Sequence, residues 1–373
     1  MIRDSVAGIC RSYGRTWFQE LYKADKRSTE LWENLGENGF IGLNIPEEYG
    51  GGGLGIFEIC IVCEEAAAAG TPLLLLVVSA AINATLISKF GSPEQKQEFL
   101  PPLAAGRSIM AFAITEPDAG SNSHQIATTA TRDGDIYRLN GRKTFISGVD
   151  EADWILVVAR TGVDDKGKAM LSIFVVDAEM PGLEKTVIET AIPSPEKQWM
   201  LFFDDAEVPA TRLIGNEHEG LRAVFLGLNP ERITGAAMGL GLARYALDKA
   251  AQYCREREVW GVPIGMHQGV SHPLAERKIE LELAKLMTQK AATLYDQDLP
   301  CGEEANMAKF AAAEASINSV DQAMQALGGN GMTIEYGLAD LWPMARLMRT
   351  APVSREMILN FVAQHSLGLP KSY

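Results

Sequence analysis

Between residues 108 and 215 the apolar pattern of this 373-residue chain changes period, and that change constrains the fold more than any single motif. Before it, apolar residues recur at helical spacing through Leu21, Leu31 and Leu35, then over 56–69, 73–90 and 93–104. Within it, short runs rich in β-branched and aromatic residues appear: Ser108–Ile114, Ile136–Leu139, Trp154–Val158, Leu171–Val176 and Met200–Phe203. Turn signals divide them, among them Asp133-Gly134 and Asn140-Gly141. After Gly220 the helical period returns, predicting helices over 219–256, 268–297, 303–327 and 353–366, with a shorter one near 336–345. Strands spaced this closely, with no helices between them, predict a small antiparallel barrel or sandwich. They argue against a parallel dinucleotide-binding sheet, as does the lack of a G-x-G-x-x-G. The expected class is α+β: a helical N-terminal domain (1–106), a small β-barrel middle domain (107–216) and a C-terminal helical bundle (217–373).

Charge narrows the function. With 34 basic against 48 acidic residues, the net charge of −14 leaves no basic stripe for sequence-independent nucleic-acid binding. Five cysteines make an odd count and no disulfide framework; Cys60 and Cys63 form a C-x-x-C, but inside an apolar helical stretch with no second ligand pair, so they read as core thiols rather than a metal site. Arg3, Asp4 and Arg11 interrupt any secretory signal, and the apolar run Leu73–Val78 is too short to span a bilayer, so the expected location is the cytoplasm. The glycine-rich stretch Glu48-Tyr-Gly-Gly-Gly-Gly-Leu-Gly55 suggests a phosphate loop, but no G-K-[ST] follows, and a tight surface loop is the reading preferred.

Four strings then stand in order along the chain: Ala113-Ile-Thr-Glu-Pro-Asp-Ala-Gly-Ser-Asn122; Gly141-Arg-Lys-Thr-Phe-Ile-Ser-Gly148; Tyr253-x3-Arg257-x2-Trp260-Gly261-x2-Ile264-x3-Gln268; and Gln325-Ala-Leu-Gly-Gly-Asn-Gly331. Together with the helix–strand–helix order they resemble the acyl-CoA dehydrogenase family along nearly the whole chain. The resemblance implies non-covalent FAD between the β domain and the C-terminal bundle. It implies that Ile114 and Thr115 contact the flavin pyrimidine edge, and that Ser121 lies by both flavin and acyl chain. Phe145 is implied to lie against the ring face, and Ser147 to stand for a Thr that hydrogen-bonds flavin N5. Arg257, a fit for a charge-assisted fork on a pyrophosphate, and the segment Gln325, Gly328 and Gly329 are implied to hold the dinucleotide of a neighbouring subunit, with Gln268 as a further cofactor contact. Each FAD site would then be shared, in a homodimer or homotetramer. The resemblance also sets Met1 inside the family's first helix, so a few further residues are expected before it.

Departures from the family pattern locate the base. Gly148 replaces the usual Asn of the second string. In many members the carboxylate that removes the α-proton lies in a C-terminal E-G-T motif, but here those slots fall on Pro352, Val353 and Ser354. Members similar to isovaleryl-CoA dehydrogenase carry it instead in [ND]-x-E-R, matched by Asn229-Pro-Glu-Arg232. Glu231 takes the base position, a role suited to a desolvated carboxylate. Asn229 and Arg232 become substrate-side residues, with Arg232 against the CoA moiety, and Pro230 is expected to kink the helix. Glu356 is the competing carboxylate. Trp154 and Trp260 read as core residues.

The implied reaction is α,β-dehydrogenation of an acyl-CoA thioester: Glu231 removes the α-proton, a hydride passes from Cβ to flavin N5, and an electron-transfer flavoprotein takes the electrons. The alternatives are an oxygen-using oxidase or monooxygenase on the same fold, or an inactive flavin- or acyl-CoA-binding member. Neither a metal nor a nucleic-acid partner is expected.

Overall fold

Where apolar residues recur every third or fourth position, the chain coils so that they share a face, and the N-terminal region is built from that rule. The computed structural model describes residues 1–371, apart from the side chains of Arg222 and Phe225. It begins with helices α1 (Ile2–Lys23), α2 (Thr29–Glu37) and α3 (Ile56–Ala68). A π-helical segment, Leu76–Asn83, then leads into α4 (Ala84–Phe90), and α5 spans Pro93–Ala104. Ser92 caps α5, its hydroxyl accepting from Gln95 N while the Gln95 side chain accepts from Ser92 N.

One α-helix was expected over 73–90, and the π turn is a departure. Polar side chains bind it on both sides. Asn44 donates to the Ala80 carbonyl at 2.9 Å, Ser79 Oγ accepts from Met110 N at 3.1 Å, and Asn83 Nδ2 donates to the carbonyls of Met110 and Ala111 at 2.7 and 3.1 Å. The widened turn is thereby tied to the first strand, where such turns often accompany function. The glycine run is a surface turn, with Gly50 and Gly53 in the left-handed region. The anion at the N-terminus of α3 is internal: the Asp296 carboxylate accepts from Ile56 N (2.7 Å) and Phe57 N (2.9 Å).

Eight strands follow: β1 (Met110–Ala113), β2 (Thr129–Asp133), β3 (Ile136–Ser147), β4 (Trp154–Val163), β5 (Ala169–Asp177), β6 (Leu183–Ile188), β7 (Gln198–Pro209) and β8 (Leu213–Ile214). They form one sheet in the order β6-β7-β3-β2-β4-β5-β8, with β1 paired to β4. The sheet is mixed rather than antiparallel throughout, since β1 and β2 both run parallel to β4. The long stretch between β1 and β4, which includes a complete hairpin, gives the chain room to return in the same direction. Asp133-Gly134 is a hairpin turn as expected. Asn140-Gly141 is not; it lies inside β3 at a shift of register against β7, where a Cβ on Gly141 would come within 2.6 Å of Thr128 Cα.

Period-two alternation divides the sheet's residues. Ala111, Ala113, Ile155, Val157, Phe174 and Val176 enter a core made by the strands themselves. Met110, Phe112, Leu156, Val158, Ile173 and Val175 face the other way and join the helical core. The sheet is therefore buried on both faces where it meets the helices.

The C-terminal region comprises α6 (Gly220–Glu256), a hairpin of β9 (Glu258–Val259) and β10 (Val262–Pro263), α7 (Gln268–Asp296), α8 (Gly302–Leu327), α9 (Trp342–Leu347) and α10 (Arg355–His365). Helix α6 runs unbroken through Pro230, so the proline does not end it; Thr234 Oγ1 donates to the Pro230 carbonyl at 2.7 Å. Its central place needs small residues: a Cβ on Gly241 would lie 2.3 Å from the Glu64 carbonyl on α3. On the other side, a Cβ on Gly220 would lie 2.7 Å from Ser172 Cα on β5. Among the described residues, no helix is long and apolar enough to cross a membrane.

Candidate active site

The first two strings form one structural unit. After β1 the chain turns outward through Ile114–Asn122, and β3 passes beneath it. Thr144 N donates to the Thr115 carbonyl at 2.9 Å, and Lys143 Nζ donates to the Ile114 carbonyl at 3.0 Å. The Lys143 ammonium, fully buried, also pairs with Glu116 at 2.8 Å, and the Glu116 carboxylate accepts from Ala127 N (2.7 Å) and Thr128 N (3.0 Å). Burial pulls the Lys143 ammonium down to about 8, while Glu116 holds it charged; the Glu116 carboxyl lies below the usual carboxylate range, its desolvation outweighed by Lys143 and the two amides. Both residues of this pair stand within the first two strings, where their buried partnership carries no mark in the sequence.

Further along β3, a second break in register falls between Lys143 and Ile146. There Phe145 adopts φ +56° and is 62% exposed. A bulky aromatic residue in the left-handed region, turned outward by a bulge, is an outlier of the kind that clusters at binding sites. Ser147 is half-buried and exchanges hydrogen bonds with the Gln198 side chain at 2.9–3.2 Å. Gly148, also left-handed, has a structural reason: a Cβ there would come 2.7 Å from the Leu75 side chain at the start of the π segment. Ser121 is exposed, and space beside Gly120 is open.

The third and fourth strings form a second unit on the molecular surface. Tyr253 near the end of α6 accepts from Asn330 Nδ2 at 3.1 Å and meets Tyr336 edge to face at 5.8 Å. Arg257 lies one turn beyond, exposed and without an ion pair among the described residues. Gln268 opens α7, and Gln325, Gly328 and Gly329 end α8; all are exposed, and nothing lies within 4 Å of a Cβ built on either glycine. Trp260 is not a core residue. It is 87% exposed at φ +56° in the β9–β10 turn, edge-on to His267 at 5.7 Å. A tight hairpin demands positive φ at both turn residues, and Trp260-Gly261 supplies it. Trp154 stands edge-to-face on Phe99 at 5.0 Å, against the core. No hydrogen bond, ion pair or ring contact among the described residues joins the first unit to the second.

Glu231 lies on α6, half-buried, and no donor among the described residues holds its carboxylate. Burial pushes its carboxyl up to about 7, against the opposing charges of Arg232 and Lys309. Arg232 donates from Nη1 to Asn229 Oδ1 at 3.1 Å, while its Nε is buried without a partner; Asn229 Nδ2 approaches Cys301 Sγ at 3.7 Å. One turn along the same face, a Cβ on Gly235 would meet Pro352 at 3.8 Å. Two segments more than a hundred residues apart in sequence, 229–232 and 352–354, thus converge at one place. Glu356 differs: its side chain is 75% exposed beside Arg355.

The first unit thus presents an outward aromatic and a hydroxyl–amide pair, and the second presents open glycines and a guanidinium without an ion pair among the described residues. A desolvated carboxylate on α6, beside the 352–354 segment, adds a group able to take up a proton. Family models describing the N-terminal, middle and C-terminal domains of acyl-CoA dehydrogenases match residues 1–107, 111–206 and 218–367. Acyl-CoA dehydrogenase FadE12 of Mycobacterium tuberculosis (strain ATCC 25618 / H37Rv) is 54% identical over 374 residues, covering 100% of this chain and 96% of that one. The chain belongs to the acyl-CoA dehydrogenase family, and its cofactor is FAD. Among solved structures, glutaryl-coenzyme A dehydrogenase in its glutaryl-CoA complex superposes with a TM-score of 0.95 at 33% identity, covering 100% of this chain and 95% of that one. The FAD complex of PigA gives 0.92 at 27% identity, with 99% and 97% covered.

Proposed function

We propose that this enzyme removes the α-proton of an acyl-CoA thioester with Glu231 while a hydride leaves Cβ. The observation that carries the reading is the place of Glu231: half-buried on α6 beside the 352–354 segment where many relatives keep their base, with no donor to its carboxylate among the described residues, so that burial pushes it up to about 7. A base poised near the working pH balances availability against strength. FAD, when bound, supplies the hydride acceptor, and the electrons then pass to an electron-transfer flavoprotein.

Ile114, Thr115, Phe145 and Ser147 would hold the flavin ring, with Ser121 between ring and acyl chain. Asn229 and Arg232, linked side chain to side chain, would line the substrate side. Arg232 is held to Asn229 one turn back on α6, and its charge bears on Glu231. Arg257, Gln268, Gln325, Gly328 and Gly329 would grip the dinucleotide of a second subunit. Supporting that, they share their surface with the exposed apolar side chains of Trp260, Met266, Met332 and Ile334, a composition suited to an interface between copies. The three family matches support reading residues 1–106, 107–216 and 217–373 as the working domains, and the exposed apolar surface supports a homodimer or homotetramer as the working form.

Anaerobic titration of the purified holoenzyme with butyryl-, isovaleryl-, octanoyl- and phenylpropionyl-CoA tests the reaction. Bleaching of the flavin band by at least one thioester is expected. If none bleaches it, the dehydrogenase reading fails in favour of a binding-only role; rapid turnover in air without an added acceptor would point to an oxidase.

The shared cofactor site makes a separate prediction. Arg257→Gln removes a charge-assisted fork on the pyrophosphate and should weaken FAD retention by roughly tenfold or more. FAD released on dilution, followed by fluorescence, measures it. Retention equal to wild type would detach Arg257 from the cofactor.

A further inference from the structure

Lys309 has no place in the reaction described so far, yet it is 3% exposed and lies at the convergence of α6, α8 and the segment preceding α10. Its ammonium donates to the Val353 carbonyl. Val353 is the neighbour of Pro352, the residue that faces Gly235 one turn from Glu231. A buried ammonium is costly unless it meets acceptors or an anion, so the charges around it decide what it does.

Four groups face it: Arg232 and Glu231 from α6, Glu314 from its own helix, and Glu356 from α10. Glu314 is already taken, pairing with Arg349 at 2.6 Å and with Arg355 at 3.2 Å. Glu356 is exposed, with Arg355 beside it. Arg232 is a like charge whose Nη1 is engaged by Asn229. Glu231 is the one of these carboxylates with neither a hydrogen bond nor an ion pair among the described residues, and the charges bearing on it are Arg232 and Lys309.

Resting on the assignment of Glu231 as base, we propose that Lys309 is a positioning residue for this reaction: it fixes the 350–354 loop beside the Glu231 turn and supplies a cation against which the carboxylate ionises. In relatives with a C-terminal base that loop would carry the carboxylate; here it carries none, and the ammonium beneath it faces the carboxylate on α6. The desolvation that pushes Glu231 up to about 7 would push it further without this cation, and a smaller share of the carboxylate would be ionised at neutral pH and free to take the α-proton.

The test is the pH dependence of anaerobic flavin bleaching, by stopped flow, in the holoenzyme with the fastest thioester of the panel. In wild type the rate rises with pH through the ionisation of Glu231. In Lys309→Met the half-point should move up by about one pH unit, because a nearby cation has gone. Lys309→Gln, which keeps a donor for the Val353 carbonyl and favours folding, should move it in the same direction. Lys309→Arg, which keeps the charge, should leave it in place. A purely structural role lowers the amplitude or the yield of holoenzyme without moving the half-point, and that result overturns the proposal. So does a shift in Lys309→Arg as large as in Lys309→Met. The base assignment is tested apart: bleaching that persists in Glu231→Gln refutes the base, whereas loss there with an unmoved half-point in the Lys309 variants refutes only the role of Lys309.

Discussion

Glu231→Gln should bind FAD normally yet bleach it with thioester roughly 10²–10⁴-fold more slowly than wild type, the span that a positioned general base contributes. The amide keeps the size and much of the shape of the carboxylate, so the pocket changes little beyond its capacity to take a proton. Half-buried on a continuous helix, Glu231 has no competitor in its surroundings, since Glu356 is exposed and Pro352, Val353 and Ser354 carry no acid. The same burial makes an opposite prediction for stability. Folded Glu231 holds its proton up to about pH 7, whereas the unfolded side chain releases it near 4.5. The folded state therefore binds more protons in that window, and this group's contribution falls as pH rises from 4.5 to 7, staying unfavourable above it. Glu231→Gln removes that burden, so at pH 8 its urea midpoint should equal or exceed that of wild type. An enzyme less active and no less stable is the signature of a group kept for chemistry. A variant bleaching within threefold of wild type would end the assignment.

Much of this architecture was legible because burial imposes periods on sequence. The long helices were read to within a residue or two at most ends: 219–256 against Gly220–Glu256, 303–327 against Gly302–Leu327. A helix with an apolar stripe has few other ways to bury it. The sheet was less legible. Short strands β2 and β6 are too polar to stand out, and the direction of β1 depends on pairing with β4 more than forty residues away. Asn140-Gly141 misled for a local reason. The backbone freedom that makes a tight turn also makes a bulge, and only the approach of Thr128 decides between them.

The candidate site divided in the same manner. Glu231 is legible because the acid missing at 352–354 leaves the Asn229–Arg232 string as the place for the base. That the two places adjoin could not be seen, since their meeting runs through Gly235 and Pro352. Lys309 stood unremarked in an alanine-rich helix, where a lone lysine reads as a solvated face. Its partner carbonyl lies 44 residues later. Trp260 was read by residue type as core, but its backbone belongs to a turn and its ring to the surface. Tertiary partners, rather than composition, determine what a charged or aromatic residue does in each of these cases.

The loop that follows β1 provides the second large effect. Lys143→Met should destabilise the protein by roughly 3–5 kcal/mol, the usual range for removing one partner of a buried ion pair. The methionine fits the volume, so the loss is electrostatic. Glu116 keeps its two backbone donors at Ala127 and Thr128 but loses its cation, and the Ile114 carbonyl loses its donor. Since Ile114, Thr115 and Ser121 sit on that loop, looser anchoring should also lower the FAD-to-protein absorbance ratio at equal protein concentration. The double variant Lys143→Met/Glu116→Gln separates the two consequences. With no charge left unpaired, it should regain part of the lost stability, while the loop, still without its lysine tether, should remain poor at holding FAD. Recovery of both together would mean that the charge balance alone organises the loop. A single variant within about 1 kcal/mol of wild type that retains its flavin would remove Lys143 from the account of the site altogether, because the penalty for an uncompensated buried carboxylate is several times that size.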